Sequence, residues 1–574
     1  MTMFSSQWFA ASDGDFDTTL IGNSVWLDGS SDYFSRSTSS FSTNEVTMSC
    51  WFQILDPRSS GGEQLLSIGN NSASGAGNSG VKWEDGMAYF SADGYAVKSS
   101  ANLVRDKEWY HILASWKLDE STASDKGKLY LNGEEITSFS LDQRGSWATT
   151  FSNTSTALVG AMSAGYGKVY IAQPIILDGQ SIQGGDFSIS NFVGTKTFSP
   201  NDAQIIPKAD ANIASLASSA GGNSFCLDFS DSSALGNDIS SNNNDLTANN
   251  MSSANQSVHT PSLVFPILNG LNGQATEVAN LEYGNRLAVG SVYWYSVFAS
   301  KSMGSSGKYY YETRINTDTG ANGFPSCIHD AATASKNYTY YIGYTTSSHG
   351  LGYGMYSGDG YYYTNGSSTA ITGAATMSAG DIIMLAVDLD NNKIWWGENG
   401  TWYDSGAPAS NTGGVSIQAS TEYVFGTSTS ITEDYFVNFG QDSTFGGDET
   451  AGGNTDTNGI GDFKYTVPSG FQCLASSSQS TKTFSNPATG SFTGNASTNG
   501  PFIYLGFQPS PSDALTINSN SVTYGTDVTL SGNGFKVISS SSNFNATGSN
   551  SYSLVTANAF QINETFPPSY GVTN

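Results

Sequence analysis

The sequence predicts an all-β protein built on two antiparallel β-sandwiches, with a smaller β region at its C-terminal end. Three observations carry this. Aromatic and glycine content is high, with Tyr 30, Phe 31, Trp 11 and Gly 64, while charged residues make up only 12% of 574 residues, which is the composition of short strands and tight turns. No stretch of a dozen residues repeats its apolar side chains with a helical period, and the best candidate, 202–220, is interrupted by Pro207. Two hairpins can be read directly. In 381–402, DIIMLAVDLDNNKIWWGENGTW, an apolar run ends at Asp390-Asn391-Asn392, a return run carries Trp395 and Trp396, and Asn399-Gly400 suits a turn with positive φ. In 109–136 the pattern recurs as WYHILASWKLDE, a longer polar loop, then GKLYLNGEEI with its own Asn132-Gly133 turn. Two such hairpins imply two sandwiches.

Taken in order, residues 1–22 form an N-terminal arm with little apolar pattern. Asp13, Asp15 and Asp17 alternate in it, but the glycine and closing glutamate of a calcium loop are missing, so no metal is expected. Residues 23–200 then alternate strand and turn at short intervals. Within them VWLDGSSDYFSR (25–36), TMSCWFQI (47–54), EWYHILASW (108–116), KLYLNGEEI (128–136) and KVYIAQPIILDGQSI (168–182) occur in sequence. This series resembles the successive strands of a laminin-G-like, concanavalin A-like jelly roll. That resemblance implies a fold but no particular ligand, since such domains include lectins, adhesion modules and glycosidases.

Residues 201–280 are a connecting segment rich in Asn, Ser and Asp, the side chains that bond their own backbone in turns. By composition alone this is a solvated linker. Its stretch 225–262, FCLDFSDSSALGNDISSNNNDLTANNMSSANQSVHTPS, is also similar to one in structural proteins of marine tailed phages, where it follows a laminin-G-like domain and ends in a threonine-proline pair, here Thr260-Pro261.

Residues 281–475 carry a second series: GKYYYETRI (307–315), YYIGYTT (340–346), GYGMYSGDGYYYTNG (352–366), the hairpin at 381–402 and DYFVNFGQD (434–442). These resemble the ordered strands of a SPRY domain, and as alternating aromatic strands with Gly, Asn and Asp turns they suit a twisted antiparallel sandwich. The remainder, 476–574, is expected to supply three or four strands of a small C-terminal β region that packs on the second sandwich or trimerises. It too resembles the closing segment of the marine phage proteins.

Composition limits function. A net charge of −27 argues against nucleic acid and against insertion into or adhesion to an anionic membrane, because phosphate binding needs clustered Lys and Arg. The four cysteines, Cys50, Cys226, Cys327 and Cys473, stand far apart in apolar runs and are expected as buried free thiols. The N-terminus lacks the charged and apolar regions of a signal peptide, and no segment is long enough to span a membrane.

An enzyme would need residue types at a spacing, and none is found. The alternating carboxylates of concanavalin A-like glucanases, the H-E-x-x-H, G-x-S-x-G and G-x-x-x-x-G-K-[ST] motifs are all missing from the sequence. Gly350-Leu351-Gly352-Tyr353-Gly354 lies inside an all-β pattern with no following helix and is not a dinucleotide loop. Asp388 and Asp390 are expected as strand-end and turn residues, and His111 as a sheet residue. No cofactor is expected. What remains is aromatic surface: Tyr361-Tyr362-Tyr363 and Trp395-Trp396 put neighbours on opposite faces of a strand, so one of each set must face outward or into another element. The ligand-binding candidates are His349, Tyr361, Tyr362, Tyr363, Trp402 and Tyr403.

The resemblances imply a non-enzymatic structural protein of a tailed-phage virion, a fibre, spike or appendage that is assembled in the host cytoplasm and forms a homotrimer. Its partners would be itself, other virion proteins and a host-surface glycan or protein. A bacterial lectin-like adhesin is the alternative, and a glycan depolymerase with a site of separated carboxylates the third.

Overall fold

The computed structural model describes residues 21–475 except 39–40, 43, 56–61, 70–77, 85, 101–108, 153, 164, 198–203, 208–209, 270–280, 291–293, 305, 319, 321–322, 335–339, 345–349 and 431–432, and beyond 475 only the strands named below. The Asp13, Asp15 and Asp17 arm and His349 lie outside the described residues. The chain is all-β and divides into two units, one holding 18–194 and 207–478, the other 195–206 and 479–574.

The first sandwich has two eight-stranded sheets. One centres on Glu45–Ile54 between Trp109–Lys117 and Val169–Asp178, each paired antiparallel to it. The other runs from Phe139–Asp142 through Met87–Ala92 and Glu63–Ile68 to Tyr33–Ser37. Strands of 63–99 run as a local meander, while Glu45–Ile54 and Tyr33–Ser37 pair with strands far along the chain, the crossing connections of a jelly roll. The inner faces meet in a core containing Cys50, Phe52, Ile112, Trp116, Phe90 and Ile171. At the tip of the predicted hairpin Asn132 and Gly133 have φ of 49° and 78°, the left-handed pair that an Asn-Gly turn requires. His111 is indeed a sheet residue, its Nε2 2.6 Å from Ser49 Oγ on the neighbouring strand.

The Asn- and Ser-rich connecting segment does more than connect. Its residues Phe225–Cys226, Thr247–Asn249 and Gln256–Ser257 add short strands to the jelly-roll sheets, against Val169–Asp178, Tyr33–Ser37 and Ser24–Trp26. Several of its polar side chains are turned inward while others face solvent. Asp238 is buried and accepts from the N–H groups of Cys226 (2.9 Å), Ser240 (2.9 Å) and Asn244 (2.8 Å). Asn244, also buried, donates to the carbonyls of Gly222 and Ser224. Turn residues here satisfy a folded segment from inside. A helix, Asp210–Ser219, begins just after Pro207 and buries Ile213 and Ala217; the proline that interrupted the pattern precedes the helix instead of breaking it.

The second sandwich pairs a seven-stranded sheet, from Leu268–Asn269 through Tyr423–Thr429 and Phe324–Asp330 to Tyr361–Thr364 and Ser367–Ala370, with an eight-stranded one centred on Lys308–Thr317 and Ile382–Asp388. The hairpin of 381–402 pairs Ile382–Asp388 with Lys393–Glu398, and its turns hold Asn392, Asn399 and Gly400 at φ of 55°, 47° and 86°. Every residue of Ile382–Asp388 is buried. Ile383, Leu385 and Val387 face the inter-sheet core, while Met384 and Ala386 face a second apolar layer in which Phe463, Val467, Phe471 and Cys473 lie over the outside of the sheet. A strand covered on both faces reads as a continuous apolar run rather than an alternation, which is how it appears in the sequence. Asp388 ion-pairs with Lys308 at 2.9 Å and Asp390 accepts the Gly307 N–H, so both carboxylates serve the strand end and turn. All four cysteines are buried as thiols outside any disulfide.

The sandwiches of this first unit are joined by direct contacts. Asn285 donates to the Leu55 carbonyl (3.1 Å), Lys168 to that of Leu281 (3.2 Å) and the Tyr170 hydroxyl to that of Gly284 (3.1 Å). Between them His259 is fully buried. Its Nδ1 accepts from Phe265 N–H, and its Nε2 lies 2.7 Å from Gln53 Oε1 and 3.2 Å from Trp109 Nε1. Burial, with the nearby charges of Lys301 and Arg286, holds this imidazole neutral, well below its ordinary pKa.

The second unit has a four-stranded sheet of Ala488–Gly494, Gly548–Val555, Ala514–Ile517 and Asn520–Val522, a three-stranded sheet of Phe502–Leu505, Gly534–Ile538 and Val528–Ser531, and the pair Lys482–Phe484 with Phe560–Ile562. That is more strands than the three or four expected, because short Ser- and Thr-rich strands carry little apolar alternation. Val193–Thr197 pairs with Gln204–Pro207 in a separate two-stranded ribbon.

Candidate recognition surface

The outer face of the seven-stranded sheet is paved with glycine where an aromatic turn lies on it. A Cβ on Gly354 would stand 2.5 Å from the Ile342 carbonyl oxygen, one on Gly426 2.7 Å from Ile342 Cδ1, and one on Gly352 2.8 Å from Ile342 Cγ2. Only glycine lets Ile342 sit flat on the strands at these three places. The turn is then fastened by polar groups. Ile342 N–H donates to Ser428 Oγ at 2.9 Å, Ser296 Oγ donates to the Tyr340 carbonyl, and Gly366 N–H donates to the Gly343 carbonyl at 2.9 Å. The stretch YYIGYTT, expected as a strand, is therefore a turn over its described residues 340–344. Its backbone groups bond to hydroxyls and to a neighbouring turn instead of a ladder, and Gly343 has a φ of 101°.

Anchoring Ile342 presents its tyrosine neighbours outward. Tyr340 and Tyr344 stack with centroids 4.4 Å apart and planes 7° from parallel. Tyr341 stacks on Phe324 at 4.5 Å and meets Tyr344 and Tyr363 edge-on at 5.3 and 5.8 Å. Tyr356 and Trp294 close the cluster against Tyr363 and Tyr341. Among the described residues only four large apolar or aromatic side chains are classed as exposed, and two of them are here, Tyr340 at 39% and Tyr361 at 37%. Burial and the neighbouring phenols raise the Tyr341 hydroxyl above its ordinary pKa, and burial with Asp359 raises Tyr363, so the cluster offers neutral hydroxyls that both donate and accept.

The structure brings some of the predicted ligand candidates together and separates others. Tyr361 and Tyr363 share the outer face, whereas Tyr362 points inward and stacks on Trp396 at 5.8 Å. Trp402 lies on the far sheet against Tyr310, and Tyr403 is buried with its hydroxyl donated to Glu398. Trp396 is in the core, its indole N–H on the Ser326 carbonyl, and Trp395 is under the outer layer with Phe471. Sequence reasoning missed Tyr340, Tyr341 and Tyr344 as surface. The available signal was a glycine inside YYIGY together with glycines at alternate positions of GYGM.

A concavity of about 620 Å³ lies where the sandwiches meet, lined by Trp26, Asp28, Asp32, Lys168, Asn255, Glu282 and Tyr283 among others. Its two aspartates are engaged locally. Burial would raise Asp28, but N–H and hydroxyl donors from Ser30, Ser31 and Asp32 outweigh it and bring it to about 2. Burial and the Asp28 charge push Asp32 up to about 6. Among the described residues no group of three or more His, Cys, Asp or Glu is placed to hold a metal ion, and no helix is long and apolar enough to cross a membrane.

Residues 28–168 match the Laminin_G_3 family, described as the concanavalin A-like lectin/glucanases superfamily, so the first sandwich is a laminin-G-like jelly roll. Solved structures similar to the chain include the SPRY domain of human HERC1, with 18% identity over 26% of this chain and 87% of that one and a TM-score of 0.19. They also include the mouse laminin alpha1 chain domains LG4-5, with 9% identity, 72% and 81% coverage and a TM-score of 0.25. A third is the native heptameric SAP-like pentraxin from Limulus polyphemus, with 8% identity, 27% and 76% coverage and a TM-score of 0.21. No curated protein matches the chain.

Proposed function

We propose that this chain is a non-enzymatic structural protein of a tailed-phage virion, a fibre, spike or appendage that assembles as a homotrimer and touches the host surface through its second sandwich. The observation that carries the recognition half is the tyrosine cluster, an exposed aromatic face held by glycines and hydroxyls on a β scaffold. Tyrosine suits such a face because it offers large contact area with few rotors. The lectin-type jelly roll is compatible with carbohydrate or protein binding. The virion setting is supported by the likeness of residues 225–262 to marine phage proteins. The structure gives that stretch an architectural part, with Asp238 and Asn244 buried within it.

Immunogold labelling of purified virions with antibodies raised against the chain tests this reading. Regular labelling of intact particles is expected. Particles without label, with the protein fractionating in the host envelope, would overturn it in favour of a cell-surface adhesin.

A further inference from the structure

We infer that the tyrosine cluster of the second sandwich is a binding platform for neutral pyranose glycans, with Tyr340 and Tyr361 as its stacking faces. The inference rests on the recognition reading above and names the ligand class of that surface. The C–H face of a pyranose carries weakly positive hydrogens and packs against the negative face of an aromatic ring. Tyr340 is exposed and lies parallel to Tyr344, which fixes its plane. Tyr361, also exposed, stands on the same strand face as Tyr363, two residues along.

Around these rings the surface is hydroxylic. The neighbouring strand Ser367–Ala370 is exposed along its whole length and pairs Ser368 with Tyr363 and Ala370 with Tyr361. Asp359, whose carboxylate already accepts the Tyr361 N–H at 2.9 Å, adds an acceptor. Such groups match the alternating donors and acceptors of sugar hydroxyls.

Charge then selects among glycans. Neither 340–344 nor 350–370 contains a lysine or arginine, so uronate, sialate or sulfate groups find no counter-charge there. They also meet Asp359 and a chain of net charge −27. Arginine and tryptophan, the anchors that with tyrosine concentrate binding energy at protein interfaces, do not occur in 340–344 or 350–370, so a protein partner would find tyrosine alone there.

The test uses the full-length chain on a glycan array containing neutral, anionic and amino sugars, followed by titration of the best binders. Tyr340→Ala, Tyr361→Ala and, as a control, Tyr95→Ala are compared, Tyr95 being exposed (46%) on the first sandwich. Neutral glycans should bind the wild type, each platform variant should weaken binding about tenfold or more, and Tyr95→Ala should leave it unchanged. All three side chains are exposed, and equal thermal unfolding checks that the variants fold. Binding to no glycan, preference for anionic glycans, or wild-type binding by both platform variants would overturn the inference.

A second arm separates this inference from the reading beneath it. Host cells are treated with periodate or with protease before adsorption is measured in the presence of soluble chain. Loss of competition after periodate alone supports the platform. Loss after protease alone, with virions labelled, overturns the glycan class while leaving the recognition role standing.

Discussion

Glu312 shows how a single buried carboxyl ties the outer layer to the second sandwich. It accepts from the N–H groups of Lys464 and Tyr465 at 2.9 and 2.8 Å, from the Tyr310 hydroxyl at 2.8 Å, and lies 3.4 Å from Asn438 Nδ2. Burial outweighs these donors and pushes it up to about 7, above the ordinary 4.5. Between those values the folded protein holds a proton that the unfolded chain has released. The contribution of this group is therefore fully present below about pH 4.5 and is lost as the pH rises through about 7. Glu312→Gln, which cannot titrate, should lose less stability than wild type on going from pH 5 to pH 7.5. The difference should be up to ~2–3 kcal/mol in denaturant unfolding. Parallel pH profiles for the two proteins would show that Glu312 does not titrate in this range.

At the scale of elements, the glycine-paved face makes a sharp prediction. Gly354→Val adds a side chain whose Cβ meets the Ile342 carbonyl at 2.5 Å and Phe324 at 2.9 Å. Both belong to packed structure, so the 340–344 turn must lift. A loss of ~2–3 kcal/mol in thermal unfolding, with faster proteolysis near the turn, is expected, and a wild-type melting profile would contradict the close packing described here. This element also shows where the sequence was and was not informative. The hairpin of 381–402 was legible because its turns use residues that tolerate positive φ, Asn392, Asn399 and Gly400, and because cover on both faces leaves an unbroken apolar run. The aromatic turn was not, since a tyrosine that packs outward on a sheet looks in sequence like one that lines a core. Trp402 and Tyr403 illustrate the same ambiguity. Adjacent to a clear turn, they lead to different faces, one against Tyr310 and the other into the inter-sheet core. The Asn- and Ser-rich segment misleads in the opposite sense, because Asp238 and Asn244 use their turn-forming groups inside a fold.

At the scale of the molecule, the jelly roll, the connecting strands and the second sandwich form one unit through Asn285, Tyr170 and the buried His259. Such joining suits the recognition role proposed above, since a face on a well-supported scaffold loses little freedom on binding. The proposed function requires the tyrosine face to be displayed to the host on an assembled virion. A virion reconstruction tests it most directly. Symmetric copies of the chain on the particle, with Tyr340 and Tyr361 facing solvent, are expected. A particle lacking the chain, or one in which those tyrosines are buried against another virion protein, would contradict it.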